Sequence, residues 1–402
     1  MDTYYLHNHI HVVKGAKKHC IYDLKKRRLY SINQSGLNMI NHFLSPKEKE
    51  LSMSENTFLK ELLDYEILTI ENKAFNKAII KKANITFAWI EVTKSCNLRC
   101  IHCYNEAEYH EYSNSIMKFS DFCYAVDILE DMGVRRIQLI GGEPYVLGDK
   151  LSKMLRYIKN KFEFIEIFTN GTLIKDNDIK ELIDNNISQV ALSLYSNIPS
   201  EHDKVTKSMG SYNNLTCTIE LLKENEIPFR VANVRMKDIE VGENHIGTLH
   251  PKSGYDFVRL SGRANLDLYD KDLLKQKLIT KKHFQKKITP KAIEKNMQGH
   301  NCFSNRLYID VDLNVYPCVM ERRVKHGNIK EDKLKDIIKH NLIDFTKDQV
   351  NECKHCEYRY ACHDCRPDSL NGDLREKPWY CTYNPYDGEW YDIDEFINGL
   401  GV

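Results

Sequence analysis

Three cysteines fall within eight residues in the stretch Thr93-Lys94-Ser95-Cys96-Asn97-Leu98-Arg99-Cys100-Ile101-His102-Cys103-Tyr104, in the spacing C-x3-C-x2-C. A four-iron, four-sulfur cube takes four cysteine thiolates as a rule. A tight triplet with no fourth thiolate nearby would leave one iron open to a small molecule, and an open iron can do chemistry. Taken alone, the same triplet would also suit part of a zinc site or pack as small apolar side chains. Downstream stands Gly141-Gly142-Glu143-Pro144. Two glycines let the backbone approach a ligand closely, and the carboxylate can accept hydrogen bonds from an ammonium group. A second array lies near the carboxyl end: Cys302-x15-Cys318, then Cys353-x2-Cys356-x5-Cys362-x2-Cys365-x15-Cys381. Its four cysteines from 353 to 365 would also suit a zinc knuckle.

The elements that must position these residues read as an α/β chain. Ile85 to Val92 is a buried strand that delivers the first cysteines at its carboxyl end, where α/β folds place chemistry. Ser120 is expected to cap a helix running to Met132 and stopped by Gly133, and Arg136 to Ile140 is the next strand, ending at the two glycines. Strands follow at 164–169, 189–194, 229–234 and 257–260, with helices near 149–161, 175–185 and 211–224. Six parallel strands make a partial barrel. The stretch Lys237 to Tyr255 has poor helical periodicity and is the weakest part of that count.

Residues 1–83 read as a small separate domain. Strands at 9–15, 19–23 and 29–32 enclose the polar turn Lys25-Lys26-Arg27-Arg28, and helices near 35–44 and 57–63 precede a short strand at 67–70. Hairpin, helix, helix, strand is a winged-helix order. Between positions 14 and 28 stand seven basic residues against the single acid Asp23, either a solvated turn or a dock for an acidic peptide. The barrel would occupy 84–270, and a charged connector with the cysteine-rich region 271–402.

Composition sets outer bounds. The 402 residues are 42% apolar, enough to bury a large core in two or three domains. Lys plus Arg number 58 against 57 for Asp plus Glu, so no overall field favours nucleic acid or a membrane surface. No apolar run suits a membrane span, and the start lacks the form of a secretion signal; a cytoplasmic location is expected. Thirteen cysteines without an export signal fit reduced thiolates that hold metal better than a disulfide scaffold.

The triplet spacing resembles the signature of the radical S-adenosylmethionine (SAM) superfamily. That resemblance implies a [4Fe-4S] cluster on Cys96, Cys100 and Cys103, SAM chelating its open iron, and a 5'-deoxyadenosyl radical that abstracts hydrogen. Gly141, Gly142 and Glu143 resemble the motif that holds SAM's amino group. Thr169-Asn170-Gly171 and Ser193-Leu194-Tyr195-Ser196 resemble positions that line SAM, which marks Asn170 and Ser193 as contacts; His102 stands where that family has an aromatic residue. The second array, with Asp312-Leu313-Asn314-Val315-Tyr316-Pro317-Cys318 and His326-Gly327-Asn328-Ile329, resembles the SPASM domain, which holds auxiliary iron-sulfur clusters. By that pattern Cys353, Cys356, Cys362 and Cys381 hold one cluster, and Cys302, Cys318 and Cys365 hold another that lacks a fourth thiolate. Leu313 departs from the family's usual glycine, and Asn314 is expected to take over the left-handed turn. Cys20, Cys123 and Cys217 are left as small buried side chains.

The first domain resembles the peptide-recognition domain of enzymes that modify ribosomally made peptides, which binds a leader as an added strand. Together these resemblances imply a peptide maturase that installs a thioether or carbon-carbon crosslink on a precursor peptide. Its electrons would come from an external donor such as flavodoxin or ferredoxin, with neither nucleic acid nor membrane as partner. An anaerobic sulfatase maturase that forms formylglycine, and a non-catalytic zinc-binding peptide adaptor, are the other readings. The catalytic acid or base is unknown from sequence.

Overall fold

The structure is a computed structural model and describes residues 3–45, 51–71, 85–107, 115–240, 255–300, 302–338 and 344–401. The expected weak segment 237–255 falls largely outside these residues.

The amino-terminal region has the expected order, with one added strand. β2 (Ile10–Lys14), β3 (His19–Asp23) and β4 (Arg28–Ile32) form an antiparallel sheet. α1 (Gln34–Phe43) and α2 (Met53–Asp64) follow, and α2 starts at a Ser52/Glu55 capping box. β1 (Tyr5–Leu6) pairs with β5 (Leu68–Thr69). A small core of Ile10, Ile21, Ile40, Phe43, Leu59 and Leu62 holds sheet and helices together.

The central layer is a nine-stranded sheet. Six parallel strands, β6 (Phe87–Thr93), β7 (Arg136–Gly141), β8 (Phe164–Thr169), β9 (Gln189–Ser193), β10 (Phe229–Arg235) and β11 (Tyr255–Phe257), run in sequential order. Their apolar runs face helices α3 (Phe119–Asp131), α4 (Asp149–Ile158), α5 (Asp176–Asp184) and α7 (Ser211–Glu224) across a single core. α3 begins one residue before Ser120 and its cap position is Lys118, which makes no side-chain capping bond, while Gly133 ends it at φ 75° as expected. A further helix, α6 (Pro199–Thr206), was not legible because it is short and strongly polar.

Beyond β6 the sheet continues into the cysteine-rich region. β12 (Arg306–Ile309) pairs in parallel with β6, and β13 (Asn314–Tyr316) and β14 (Gly327–Asn328) extend it in antiparallel order. The left-handed residue in the β12–β13 turn is Leu313 itself, at φ 67°, and Asn314 lies in the strand. Asp310 explains the difference: its carboxylate accepts from the Asp312 and Asn314 N–H groups at 2.9 Å each and holds the turn. The Leu313 side chain meanwhile is fully buried in the sheet's core, which offsets a backbone strain of about 1–2 kcal/mol.

The amino-terminal sheet is docked, not free. Val13, Cys20, Tyr22 and Leu24 share one apolar cluster with Ile288, Ile293, Tyr358 and Tyr383. The Tyr22 hydroxyl donates to Glu357 O at 2.8 Å, the Ala16 N–H donates to His355 O at 2.8 Å, and Arg359 Nη1 donates to Lys14 O at 2.7 Å. Much of the basic run is engaged inside the chain. Lys25 pairs with Glu66, Lys26 donates to Tyr65 O, Arg27 donates to Ile288 O, and Lys18 pairs with Glu389. Replacing Tyr22 by Ala, which opens a cavity in this joint, is expected to cost the whole chain about 3–5 kcal/mol in urea denaturation. A loss below about 1 kcal/mol would mean that the domain hangs free.

Candidate functional site

The cysteine loop leaves β6 at a bulge near Thr93 and has almost no regular structure of its own. Its backbone groups are satisfied by neighbours on every side, as enclosed polar groups must be. Gly142 N–H donates to Thr93 O at 2.7 Å and Glu143 N–H to Ser95 O at 2.8 Å; the Arg99 and Ile101 N–H groups reach the end of α6 at Thr206 O and Val205 O. Arg263 clamps the far side, its N–H to Cys103 O at 3.1 Å, Nε to Cys100 O and Nη2 to Ala107 O at 3.0 Å each. Two glycines permit the approach. A Cβ at Gly142 would stand 2.1 Å from Ser95 O, and one at Gly262 would stand 2.4 Å from Cys103 O.

Cys96, Cys100 and Cys103 gather in one cluster with Leu98 and Ala107. Burial pushes the Cys96 and Cys100 thiols up to about 12 each; Glu143 adds to the rise at Cys96, and Cys96 and Cys103 add to it at Cys100. Among the described residues no three His, Cys, Asp or Glu side chains are drawn tightly enough to hold a single metal ion. The enclosed thiols sense one another's charge, and a cationic cluster would relieve it by stabilising the thiolates. That donor set fits an iron-sulfur cluster.

Glu143 is completely buried, and its carboxylate is satisfied by the chain itself. Oε1 accepts from the Thr169 hydroxyl at 2.6 Å and the Tyr145 N–H at 3.0 Å, and Oε2 accepts from the Asn170 N–H at 2.7 Å. It therefore ties the glycine turn after β7 to the end of β8. Burial lifts its carboxyl to about 7 against those bonds. Asn170 passes the link on, its amide reaching Cys96 Sγ at 3.9 Å and Asn97 Oδ1 at 2.9 Å. Ser193, at the end of β9, lines a cavity of about 390 Å3 together with His102, Tyr104, Tyr195, Arg230, Asn233, Arg259 and Met320. His102 is held edge-to-face on Tyr195 at 4.7 Å, and burial lowers its pKa to about 4, so the ring is neutral.

The seven cysteines of the second array, which the SPASM resemblance assigns to two clusters, lie close together, and Cys353 shares an apolar cluster with Cys302 and Cys318. Cys353, Cys356, Cys362 and Cys381 line one cavity walled by Phe284, Tyr358, Tyr383 and Trp390. Cys302 and Cys318 sit together against Phe303 and Phe345, and Cys318 also faces Cys365. Both sets are enclosed and soft, and both fit iron-sulfur clusters. The leftover cysteines differ from expectation. Cys217 is exposed and Cys123 half-buried on polar helix faces, and only Cys20 is buried. Cys20 belongs to the apolar cluster that contains Cys356 and Cys381, a proximity that the 335 residues between Cys20 and Cys356 hide. Tyr195 lies in the stretch 193–196 from which only Ser193 was marked as a contact, and Arg230, Arg259 and Arg263 were missed, since single side chains carry no motif.

Residues 90–236 match the radical SAM superfamily, and residues 302–366 match the SPASM iron-sulfur cluster-binding domain. The chain is an enzyme with a radical SAM domain followed by a SPASM domain. Among curated proteins it is similar to the antilisterial bacteriocin subtilosin biosynthesis protein AlbA of Bacillus subtilis, 30% identical over 43% of this chain and 40% of that protein. It is also similar to the GTP 3',8-cyclase of Desulforamulus reducens, 30% identical over 39% of this chain and 48% of that protein. These matches span less than half the length of each relative. Among solved structures, anSMEcpe with bound AdoMet superposes with a TM-score of 0.52 at 20% identity, covering 74% of this chain and 90% of that one. It shares the fold: a mostly parallel α/β sheet followed by the SPASM domain. A [4Fe-4S] cluster, SAM and auxiliary clusters are therefore the enzyme's cofactors. No described helix is long and apolar enough to cross a membrane.

The carboxyl of Glu143 generates a pH prediction. Its folded-state value near 7 lies above the ordinary 4.5, so the folded chain holds a proton that the unfolded chain has released. Stability must then fall as pH rises through that window, by about 3 kcal/mol in all. Glu143→Gln cannot titrate. In urea denaturation without added SAM, the difference between wild type and Glu143→Gln should move by about that amount in favour of Gln between roughly pH 4.5 and 8. A difference independent of pH would mean that the carboxylate is ionised throughout.

Proposed function

We propose that this enzyme abstracts hydrogen from a residue of a ribosomally synthesised precursor peptide and installs a thioether or carbon-carbon crosslink. The observation that carries the reading is the shape of the site. The inner cavity adjoins an open cleft of about 870 Å3 between residues 260–267 and 367–372, and Tyr104 and Met320 line both spaces. A cleft of that size, ending beside the cysteine loop, suits an extended chain more than a small metabolite. The likeness to AlbA, named for bacteriocin biosynthesis, supports the same substrate class.

With cluster and SAM bound, the cofactors supply radical chemistry. The chain's own part is to hold and exclude. Cys96, Cys100 and Cys103 hold the cluster, and Gly141, Gly142, Glu143, Asn170 and Ser193 hold SAM. The apolar and aromatic wall around His102 and Tyr195 keeps water from the reacting carbon. Cys302, Cys318, Cys353, Cys356, Cys362, Cys365 and Cys381 hold the two auxiliary clusters, and an external flavodoxin or ferredoxin delivers electrons. The amino-terminal domain binds the leader. β4 pairs with β3 alone among the described residues, and its other edge is open to an added strand.

Two outcomes check this. Cys96→Ala, Cys100→Ala or Cys103→Ala should abolish 5'-deoxyadenosine formation from SAM while iron on the auxiliary sites remains; retained cleavage in any one would sink the cluster assignment. The full-length enzyme should bind its precursor's leader with an affinity that changes less than about threefold between roughly 0.05 and 0.2 M salt, because much of the basic run is already paired within the chain. A steep salt dependence would return the basic run to peptide docking.

A further inference from the structure

Arg259 stands in the wall of the inner cavity, close enough to Cys365 for their charges to interact. It follows β11 and lines the cavity with His102, Tyr195 and Met320, and Met320 lies two residues past Cys318. The chain at this point is pinned to the loop of Cys365. Leu260 N–H donates to Asp368 Oδ1 at 3.1 Å, and the buried Asp368 also accepts from Trp379 Nε1 at 2.8 Å and from the Lys277 ammonium. Cys365 N–H donates to the Tyr380 hydroxyl at 2.9 Å. Backbone contacts, not a flexible stem, thus set where Arg259 stands relative to Cys365. Burial lifts Cys365 to about 12 and Cys318 to about 11; at both the Arg259 cation pulls the other way, while the Asp368 charge adds to the rise at Cys365.

Two carboxylates, Asp256 and Asp368, stand against Arg259 at this wall. Only Nη2 grips Asp256, at 2.8 Å to Oδ1 and 2.6 Å to Oδ2. The Asp256 side chain is 56% exposed against 24% for Arg259, so water screens the carboxylate more than the guanidinium. Asp368 is already matched by Lys277, and Glu321 by Arg323. Arg259 is a cation that acts on both Cys318 and Cys365.

We propose that Arg259 is a positioning residue that raises the reduction potential of the cluster held by Cys302, Cys318 and Cys365, and leaves the cluster on Cys353, Cys356, Cys362 and Cys381 unaffected. Reduction adds one negative charge to that site, and a fixed cation nearby stabilises the reduced form. At an effective dielectric constant of about 20, one unit charge within roughly 8–10 Å changes a one-electron ratio by tenfold or more. The inference rests on the iron-sulfur reading of the auxiliary cysteines and is independent of which peptide is modified.

The test is a redox titration followed by electron paramagnetic resonance, in a Cys96→Ala, Cys100→Ala, Cys103→Ala background where only auxiliary clusters report. Arg259→Met should lower one of the two midpoints by at least a tenfold change in the reduced-to-oxidised ratio, about 59 mV for one electron, and leave the other in place. Arg259→Lys, which keeps the charge, should stay near the parent. Asp256→Asn, which removes the opposing carboxylate, should shift the same midpoint upward. Unmoved midpoints in Arg259→Met with full iron and sulfide, or equal movement of both, overturn the proposal. If Arg259→Met loses iron, Asp256→Asn decides, and the absence of an upward shift overturns it.

Discussion

A loop without regular structure holds Cys96, Cys100 and Cys103, and its backbone must be satisfied by whatever surrounds it. The surroundings come from four places: the glycine turn after β7, the end of β8 through Asn170, the end of α6, and Arg263 beyond β11. Gly142 and Gly262 admit carbonyl oxygens where no side chain fits. The ends of β7, β8 and β11 are therefore fixed against the same loop. Glu143 contributes to this scaffold as much as to any ligand, since its buried carboxylate joins two strand ends through three hydrogen bonds.

The barrel and the cysteine-rich region are one sheet. Pairing β12 with β6 turns the first barrel strand from an edge into a centre and removes an exposed ladder of backbone groups. It also carries Cys318 to the side of the cysteine loop, where it and Cys103 both act on Tyr104. The buried Glu91 on β6 accepts from Asn105 at 3.0 Å and Arg322 at 3.3 Å, and Arg322 donates to the Tyr308 hydroxyl at 2.7 Å. A buried ion pair of this kind is strongly sensitive to loss of either partner, so the register between the two cysteine regions is held by charge as well as by the ladder. Asp368 does the same on the opposite side, at the end of β11.

The amino-terminal sheet adds a third body to this assembly. Its β2–β3 hairpin lies on the loop of Cys353 to Cys362, and Cys20 and Tyr22 join the apolar shell around Cys356. Shells of this kind control water access and electrostatics at metal sites. Among the described residues the same contacts leave β4, on the far side of the sheet, with an unpaired edge.

The amino-acid sequence by itself determined what local pattern can encode. The six-strand alternation, the positions of both cysteine arrays at strand ends and loops, the glycine turn after β7 and the winged-helix order of the first seventy residues are all matters of short-range periodicity and spacing. What failed locally failed for tertiary reasons. Leu313 takes a left-handed turn because Asp310 organises the backbone and the core takes its side chain, and no propensity for leucine foretells that. The pairing of β12 with β6 joins residues more than two hundred positions apart, and the meeting of Cys20 with Cys356 joins residues further apart still. Arg259 and Arg263 are single side chains in a strand end whose surroundings come from other parts of the chain. Their roles depend on desolvation and on neighbours' charge, which exist only once the sheet has closed around the cysteine loop.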